Sequence, residues 1–179
     1  MSRLFIKSGF LFFVLLLPVA ISASEVNNQK LYDFNGSPAS LDHYTGKGKW
    51  LVVVFWASDC KVCNEEAGSY ARFHKKNKTR NAVMLGVSMD GESKKAAAIE
   101  FIKRHGIDFP NLIGEPGDVS ALYTRLTYEI WLGTPMFLIY SPEGKLLASQ
   151  VGAIPVSRIE EFIKSRTGPA SHNSKGTSD

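Results

Sequence analysis

Short runs of apolar residues alternate along the chain with longer stretches in which apolar residues recur at helical spacing. The clearest run, residues 50–56, reads Trp-Leu-Val-Val-Val-Phe-Trp. A continuous run of β-branched and aromatic residues is typical of a strand that is buried on both faces. Residues 82–88 predict a second buried strand, and residues 136–140 predict a third strand. Because a strand buried on both faces needs a layer on each side, the pattern predicts a sheet between two layers of helices.

Helical spacing is found between and after these strands. Residues 60–76 are compatible with a helix, and residues 93–105 predict a second one, which ends at Gly106 because glycine commonly terminates helices. Shorter helices are predicted over residues 119–126 and 157–166. The expected core positions are Ala67, Tyr70, Ala71 and Phe73 in the first helix and Ala97, Ile99, Phe101 and Ile102 in the second.

Turn signals add a hairpin at each end of this pattern. Residues 30–34 can pair with residues 39–41 through an Asn-Gly dipeptide, and residues 145–151 return after a Ser-Pro-Glu-Gly turn. Residues 108–113 predict a short edge strand, since the proline within it cannot donate to a sheet. The elements together predict one α/β domain over residues 24–167, with a central mixed sheet flanked by helices and an N-terminal hairpin extension.

The N-terminus has the order of a secretory signal. Arg3 and Lys7 precede the apolar residues 9–21, and a small-residue Ser-Ala-Ser exit follows. The uncharged run is short for a bilayer span of about 20 residues. We therefore predict a signal peptide over residues 1–23 that is cleaved after export, with an uncleaved membrane anchor as the alternative. The polar residues 168–179 predict a flexible tail.

The charge of the chain gives no reason to expect a nucleic acid partner. The formal net charge is +4, and two of these positive charges, on Arg3 and Lys7, belong to the predicted signal peptide. The remaining lysines and arginines are interpreted as a solvated surface.

The two cysteines, Cys60 and Cys63, carry the candidate chemistry. A disulfide between them closes a very short loop and constrains the unfolded chain little, so a purely structural role explains them poorly. They follow a buried strand and open a helix, where free N–H groups and the helix dipole stabilise a thiolate. Lys61 adds a neighbouring positive charge. A mixed disulfide on Cys60 could then be resolved by Cys63, one helical turn away.

A zinc site is the main alternative for this motif, because Cys-x-x-Cys forms half of many zinc sites. The chain has no further cysteine, and its four histidines show no ligand spacing. We therefore predict no bound metal and no cofactor.

The segment 50–63 resembles the thioredoxin superfamily, specifically its TlpA/ResA/DsbE-like exported branch. Supporting motifs, all matched over residues 30–163, are Asp33-Phe34, Asn35-Gly36, Ser40-Leu41, Gly46-Lys47, Gly133-Thr134-Pro135, Glu143-Gly144-Lys145 and Gly152. The resemblance implies a thioredoxin-like fold and a thiol–disulfide oxidoreductase activity.

The resemblance also implies roles for individual residues. Cys60 matches the nucleophilic cysteine and Cys63 the resolving one. Pro135 matches a proline whose cis bond lets Thr134 present its backbone to a substrate strand. Trp56 resembles the active-site aromatic of the family and is predicted, with Thr134 and Pro135, to bind substrate, although its position also suits a core residue.

Glu66 is the candidate residue for proton transfer. Glu66 stands where the ResA-like branch has a glutamate, and at i+3 it could relay the proton of Cys63; the alternative is a solvated surface residue.

Three residues depart from the family pattern. Val54 replaces the buried aspartate of cytoplasmic thioredoxins, and Val62 replaces a proline common in this branch. Asp59 places a negative charge before Cys60 and opposes Lys61.

The function implied by the resemblance is that of a dithiol reductant in the periplasm or an equivalent exported space. Its partners would be oxidised client proteins, such as apocytochrome c or a copper-site assembly protein, and a membrane thiol reductant of the DsbD or CcdA type. The alternatives are a disulfide oxidase or isomerase, although these more often carry histidine between the cysteines. A metal-binding chaperone on the same scaffold would use wider cysteine spacing. A thiol peroxidase would need a Thr/Pro-rich loop and an arginine partner.

Overall fold

A seven-stranded mixed sheet organises residues 30–167, the part of the chain that the computed structural model describes. The strand order is β2-β1-β5-β4-β3-β6-β7. The strands are β1 (Leu31–Asp33), β2 (Pro38–Ala39), β3 (Trp50–Trp56), β4 (Ala82–Ser88), β5 (Asn111–Gly114), β6 (Met136–Tyr140) and β7 (Leu146–Val151). The helices are α1 (Lys61–Asn77), α2 (Lys95–Arg104), α3 (Pro116–Thr127) and α4 (Val156–Thr167). The predicted signal peptide and tail lie outside the described residues.

Strand β3 is the central strand, and all seven of its residues are buried. It pairs in parallel with β4 and antiparallel with β6. Alternate residues point to opposite sides of a strand: Val52 and Val54 belong to the core under α1, α2 and α4, and Val53 and Phe55 to the core under α3. The predicted α/β fold with helices on both faces of a mixed sheet is confirmed.

The predicted N-terminal hairpin is also confirmed. Strand β1 pairs antiparallel with β2, and the carboxylate of Asp33 accepts hydrogen bonds from the backbone N–H groups of Asn35 and Ser37 across the turn. The hairpin extends the sheet because β1 also pairs antiparallel with β5.

Two predictions of detail are wrong. Strand β5 is not an edge strand, because β1 pairs with its outer side and β4 with its inner side. In α2, the predicted core residues Phe101 and Ile102 do pack in or against the core, but Ala97 and Ile99 are exposed, and Ala98 is buried instead. Within the described residues, no helix has the length and apolar character needed to cross a membrane.

Candidate active site

The two cysteines lie at the junction between β3 and α1, at one edge of the sheet. Cys60 is the N-terminal cap of α1 and is joined to Cys63 by a disulfide, with the Cα atoms 5.2 Å apart. The backbone N–H of Cys63, one of the free donors of the first helical turn, points at Cys60 Sγ from 3.1 Å. Cys63 is only 4% exposed, whereas Cys60 is half-buried. A partner can therefore approach the disulfide from the side of Cys60.

The loop before β6 covers the disulfide from the other side. The Thr134–Pro135 peptide bond is cis, and the carbonyl oxygen of Thr134 lies 3.4 Å from Cys60 Sγ. Strand β6 brings this loop to the cysteines because it pairs with β3, with Met136 opposite Phe55. The structure thus brings together four residues singled out in the sequence: Cys60, Cys63, Thr134 and Pro135.

A buried carboxylate that sequence reasoning missed holds the turn before Cys60. Asp90 is 5% exposed and accepts hydrogen bonds from the backbone N–H and the hydroxyl of Ser58, at 2.8–3.1 Å, and from the hydroxyl of Ser88 at 2.7 Å. A sequence signal existed, because the carboxyl ends of the parallel strands β3 and β4 meet at one edge of the sheet. Residues just after β4 therefore lie beside the turn after β3.

Asn64 was also missed, and it braces the same turn from within α1. Its side-chain amide donates to the carbonyl oxygens of Ser58 and Cys60 at 3.0 and 2.9 Å. Its amide oxygen accepts from Arg104 at 2.9 Å and lies 3.1 Å from Nε2 of His105. Burial and the neighbouring Arg104 lower the pKa of His105. This network links the end of α2 to the backbone of the dithiol motif.

Each lysine near Cys60 is matched by a carboxylate. Lys94 forms an ion pair with Asp59 at 2.7 Å, and Lys61 lies 3.9 Å from Glu65. The hydrogen bond with Lys94 lowers the pKa of Asp59 and raises that of Lys94. The sequence expectation that Lys61 is opposed by Asp59 is therefore incomplete, since Lys94, 35 residues away in sequence, neutralises Asp59.

Trp56 is 3% exposed and packs inside the molecule. Its indole stacks on Phe101 with ring centroids 4.3 Å apart, and its N–H donates to the side-chain oxygen of Asn111 at 3.1 Å. A Cβ at Gly86 would collide with this pair, so the glycine permits the close approach. With Cys63 and other residues, Trp56 lines an apolar cavity of about 20 Å³.

Val54 lies in the wall of the same cavity, so the space beside Cys63 has an apolar group where cytoplasmic thioredoxins place a carboxylate. Glu66 is half-buried on α1, and no hydrogen bond within residues 30–167 joins it to Cys60 or Cys63. Burial, with a smaller contribution from the charge of Glu66, raises the pKa of Tyr70 to about 12. The proton role of Glu66 stays a prediction.

A comparison with protein families places this site in a known class. The model of the AhpC/TSA family matches residues 22–149. The chain belongs to the AhpC/TSA family. The thiol-disulfide oxidoreductase ResA of Bacillus subtilis (strain 168) is 29% identical over 140 residues, which are 78% of this chain and 73% of the relative. The family and its named relatives show that this chain is a thiol–disulfide oxidoreductase with the thioredoxin-like fold.

Solved structures of this class have the same fold. A thiol-disulfide oxidoreductase from Bacteroides fragilis has a TM-score of 0.59 and 26% identity, covering 74% of this chain and 94% of that one. A secreted Mycobacterium tuberculosis disulfide oxidoreductase homologous to E. coli DsbE has a TM-score of 0.57 and 21% identity, covering 74% and 92%. The resemblance of the sequence to ResA- and DsbE-like proteins is therefore confirmed.

The site has the parts that the oxidoreductase needs for exchange at one sulfur. A half-buried Cys60 faces the Thr134 carbonyl, Cys63 lies behind it, and Asp90 and Asn64 fix the turn between strand and helix. No group of three or more His, Cys, Asp or Glu side chains suited to a metal ion occurs among the described residues.

Proposed function

We propose that this oxidoreductase is an exported dithiol reductant that passes electrons from Cys60 and Cys63 to disulfides of client proteins. The observation that carries the proposal is the unequal exposure of the two sulfurs, since Cys63 is 4% exposed and Cys60 is half-buried. A client can reach only one of them directly.

The first step is attack by the Cys60 thiolate on one sulfur of a client disulfide. The client S–S bond breaks, a mixed disulfide with Cys60 forms, and the second client sulfur leaves as a thiolate that takes up a proton. The N–H of Cys63, aimed at Cys60 Sγ, supports this role because it favours negative charge on that sulfur.

The second step is attack by Cys63 on Cys60 Sγ. The mixed disulfide breaks, the client leaves with two thiols, and the enzyme keeps the Cys60–Cys63 disulfide. Two electrons have then passed to the client, and a membrane thiol reductant of the DsbD or CcdA type restores the dithiol. Glu66 accepts or relays the proton that Cys63 loses. We assign Thr134 and Pro135 to client binding, and Trp56 to the support of the site.

The charges around Cys60 favour a reductant over an oxidase. A strongly stabilised thiolate makes a dithiol oxidising, as in DsbA. Here Lys61 and Lys94 lie beside Glu65 and Asp59, so little positive charge is left to stabilise the thiolate. We expect a reduction potential of about −250 mV or lower in a glutathione or dithiothreitol titration, against about −120 mV for DsbA. A potential near that of DsbA would assign the oxidase direction instead.

The client and the compartment are proposals that a trapping experiment tests together. Cys63→Ala should hold clients as mixed disulfides on Cys60, and mass spectrometry should identify apocytochrome c or a copper-site assembly protein among them. Cys60→Ala is the control. N-terminal sequencing of the exported protein would show whether cleavage occurs near residue 23, which leaves a domain of residues 24–167 and a tail of residues 168–179. Adducts made only of cytoplasmic proteins would contradict the exported role.

A further inference from the structure

The segment that leads into the Thr134 loop exposes large apolar side chains. Tyr128, Ile130 and Leu132 are 93%, 78% and 70% exposed. A single exposed apolar residue is ordinary, but several close together commonly mark an interaction site. These three residues alternate along the chain, and we call them the apolar ribbon.

The residues between them fix this outward orientation. Glu129 accepts hydrogen bonds from Tyr123 and Ser149 at 2.8–2.9 Å. Trp131 packs edge-on against Phe55 and Tyr123, with ring centroids 5.8 and 5.5 Å apart. The polar residue and the tryptophan are therefore held by the protein, and the three apolar residues are directed away from it. The outward arrangement is built into the packing.

The ribbon runs directly to the disulfide. Leu132 precedes Thr134 by two residues, and the carbonyl oxygen of Thr134 lies 3.4 Å from Cys60 Sγ. An extended chain spans about 3.3–3.6 Å per residue, so the backbones of Leu132 and Ile130 lie within about 7 and 14 Å of Thr134. Val62, 39% exposed, adds an apolar group between the cysteines. A polypeptide joined to Cys60 must lie close to the end of this ribbon.

We propose that the apolar ribbon docks the client polypeptide, and that it selects clients with large apolar side chains within a few residues of the reacting cysteine. This inference rests on the proposed function, because it needs a mixed disulfide at Cys60. Residues 128–134 contain no lysine or arginine, and their one charged residue is Glu129. That composition suits an apolar peptide better than an anionic lipid surface, which attracts lysine and arginine. A second copy of this chain on the ribbon would compete with clients for access to Cys60.

Two disulfide-bonded peptides test the docking surface. The two peptides have the same length and the same cysteines. The apolar peptide carries leucine and phenylalanine beside the reacting cysteine, and the polar peptide carries serine and glutamine there. The reduced enzyme should reduce the apolar peptide at least about tenfold faster, as kcat/KM. Ile130→Ser with Leu132→Ser should remove most of this preference, because both side chains lose apolar contacts. Ile99→Ser, a change at an exposed isoleucine of α2, is the matched control and should keep it.

Glutathione disulfide separates docking from chemistry. The double variant should react with it at the wild-type rate, which shows that the fold and the dithiol are intact. Equal rates for the two peptides in the wild type, or an unchanged preference in the double variant, would overturn the docking proposal. Neither result would contradict the proposed reductase function. Failure of the wild type to reduce any disulfide would instead refute the proposed function. Loss of a wild-type dimer or of vesicle binding in the double variant, with no change in peptide preference, would assign the ribbon to those partners.

Discussion

The carboxylate of Asp90 accepts hydrogen bonds from both the backbone N–H and the hydroxyl of Ser58. This contact ties the turn that precedes Cys60 to the end of β4. Ser88 donates to the same carboxylate, so Asp90 is buried with its oxygens paired. The position of the disulfide therefore depends on a residue 30 positions along the chain.

Asp90→Ala should destabilise the protein by about 2–4 kcal/mol, because it leaves buried donors of Ser58 and Ser88 without an acceptor. Urea unfolding of the oxidised protein measures the change. Glu100→Ala on the exposed face of α2 is the control and should stay within about 0.5 kcal/mol of the wild type. Equal stability of the two variants would show that Asp90 does not hold the turn.

The Asp59–Lys94 pair should set the reactivity of the Cys60 thiol. Lys94→Gln leaves a negative charge beside Cys60 and should slow its alkylation by iodoacetamide at neutral pH, within a factor of about three because the pair is exposed. Asp59→Asn should have the opposite effect, and the double variant should return close to the wild type. Lys103→Gln serves as a charge-matched control. The effect should shrink at high salt, and identical rates in all variants at low salt would count against it.

His74 should make the protein less stable in mild acid. It is 5% exposed and its Nδ1 accepts a hydrogen bond from the N–H of Met84 at 3.0 Å. Burial lowers its pKa, with Lys78 and Lys49 acting in the same direction and Asp108 opposing them. The unfolded chain then binds a proton near the ordinary pKa of about 6.5, before the folded chain does. Stability is therefore fully present above this pH and falls as the pH drops through it.

Urea unfolding between about pH 8 and about pH 5 measures this loss. His74→Asn, whose amide can still accept a hydrogen bond, should flatten the pH dependence. The lowered pKa of His105 contributes a slope of the same sign, and the His43→Asn variant, at an exposed histidine, is the control. A His74→Asn variant with the full wild-type slope would refute the assignment.

Glu66→Gln should lower kcat for disulfide reduction by about tenfold or more if the carboxylate relays the proton of Cys63. Its pH–rate profile should also lose the dependence on a carboxylate. Glu100→Gln, a change at an exposed carboxylate of α2, is the control and should leave both unchanged. Matching profiles for the two variants would make Glu66 a surface residue.

The sequence predicted the parts of the molecule that depend on local pattern. The buried run of β3 and the cysteines at the next helix start are neighbours in sequence, so their relationship was readable. The roles of Asp90 and Asn64 depend on which strands pair and on side-chain contacts with α2. Because residues 96–98 are all alanine, the sequence does not show which of them faces the core. The structure shows that Ala98 does. Pro110 predicts an edge position for β5, whereas the pairing of β5 with β1 joins residues about 80 apart and leaves no local signal in the sequence.

Transfer of a disulfide between a protein client and the Cys60–Cys63 pair tests the account most directly. The reduced protein is mixed with insulin. After alkylation, mass spectrometry counts the free thiols of the enzyme and those of insulin. We expect the enzyme to lose both thiols while insulin gains two, with Cys60→Ser unable to do so. An enzyme that keeps both thiols, while insulin keeps its disulfides, would contradict it.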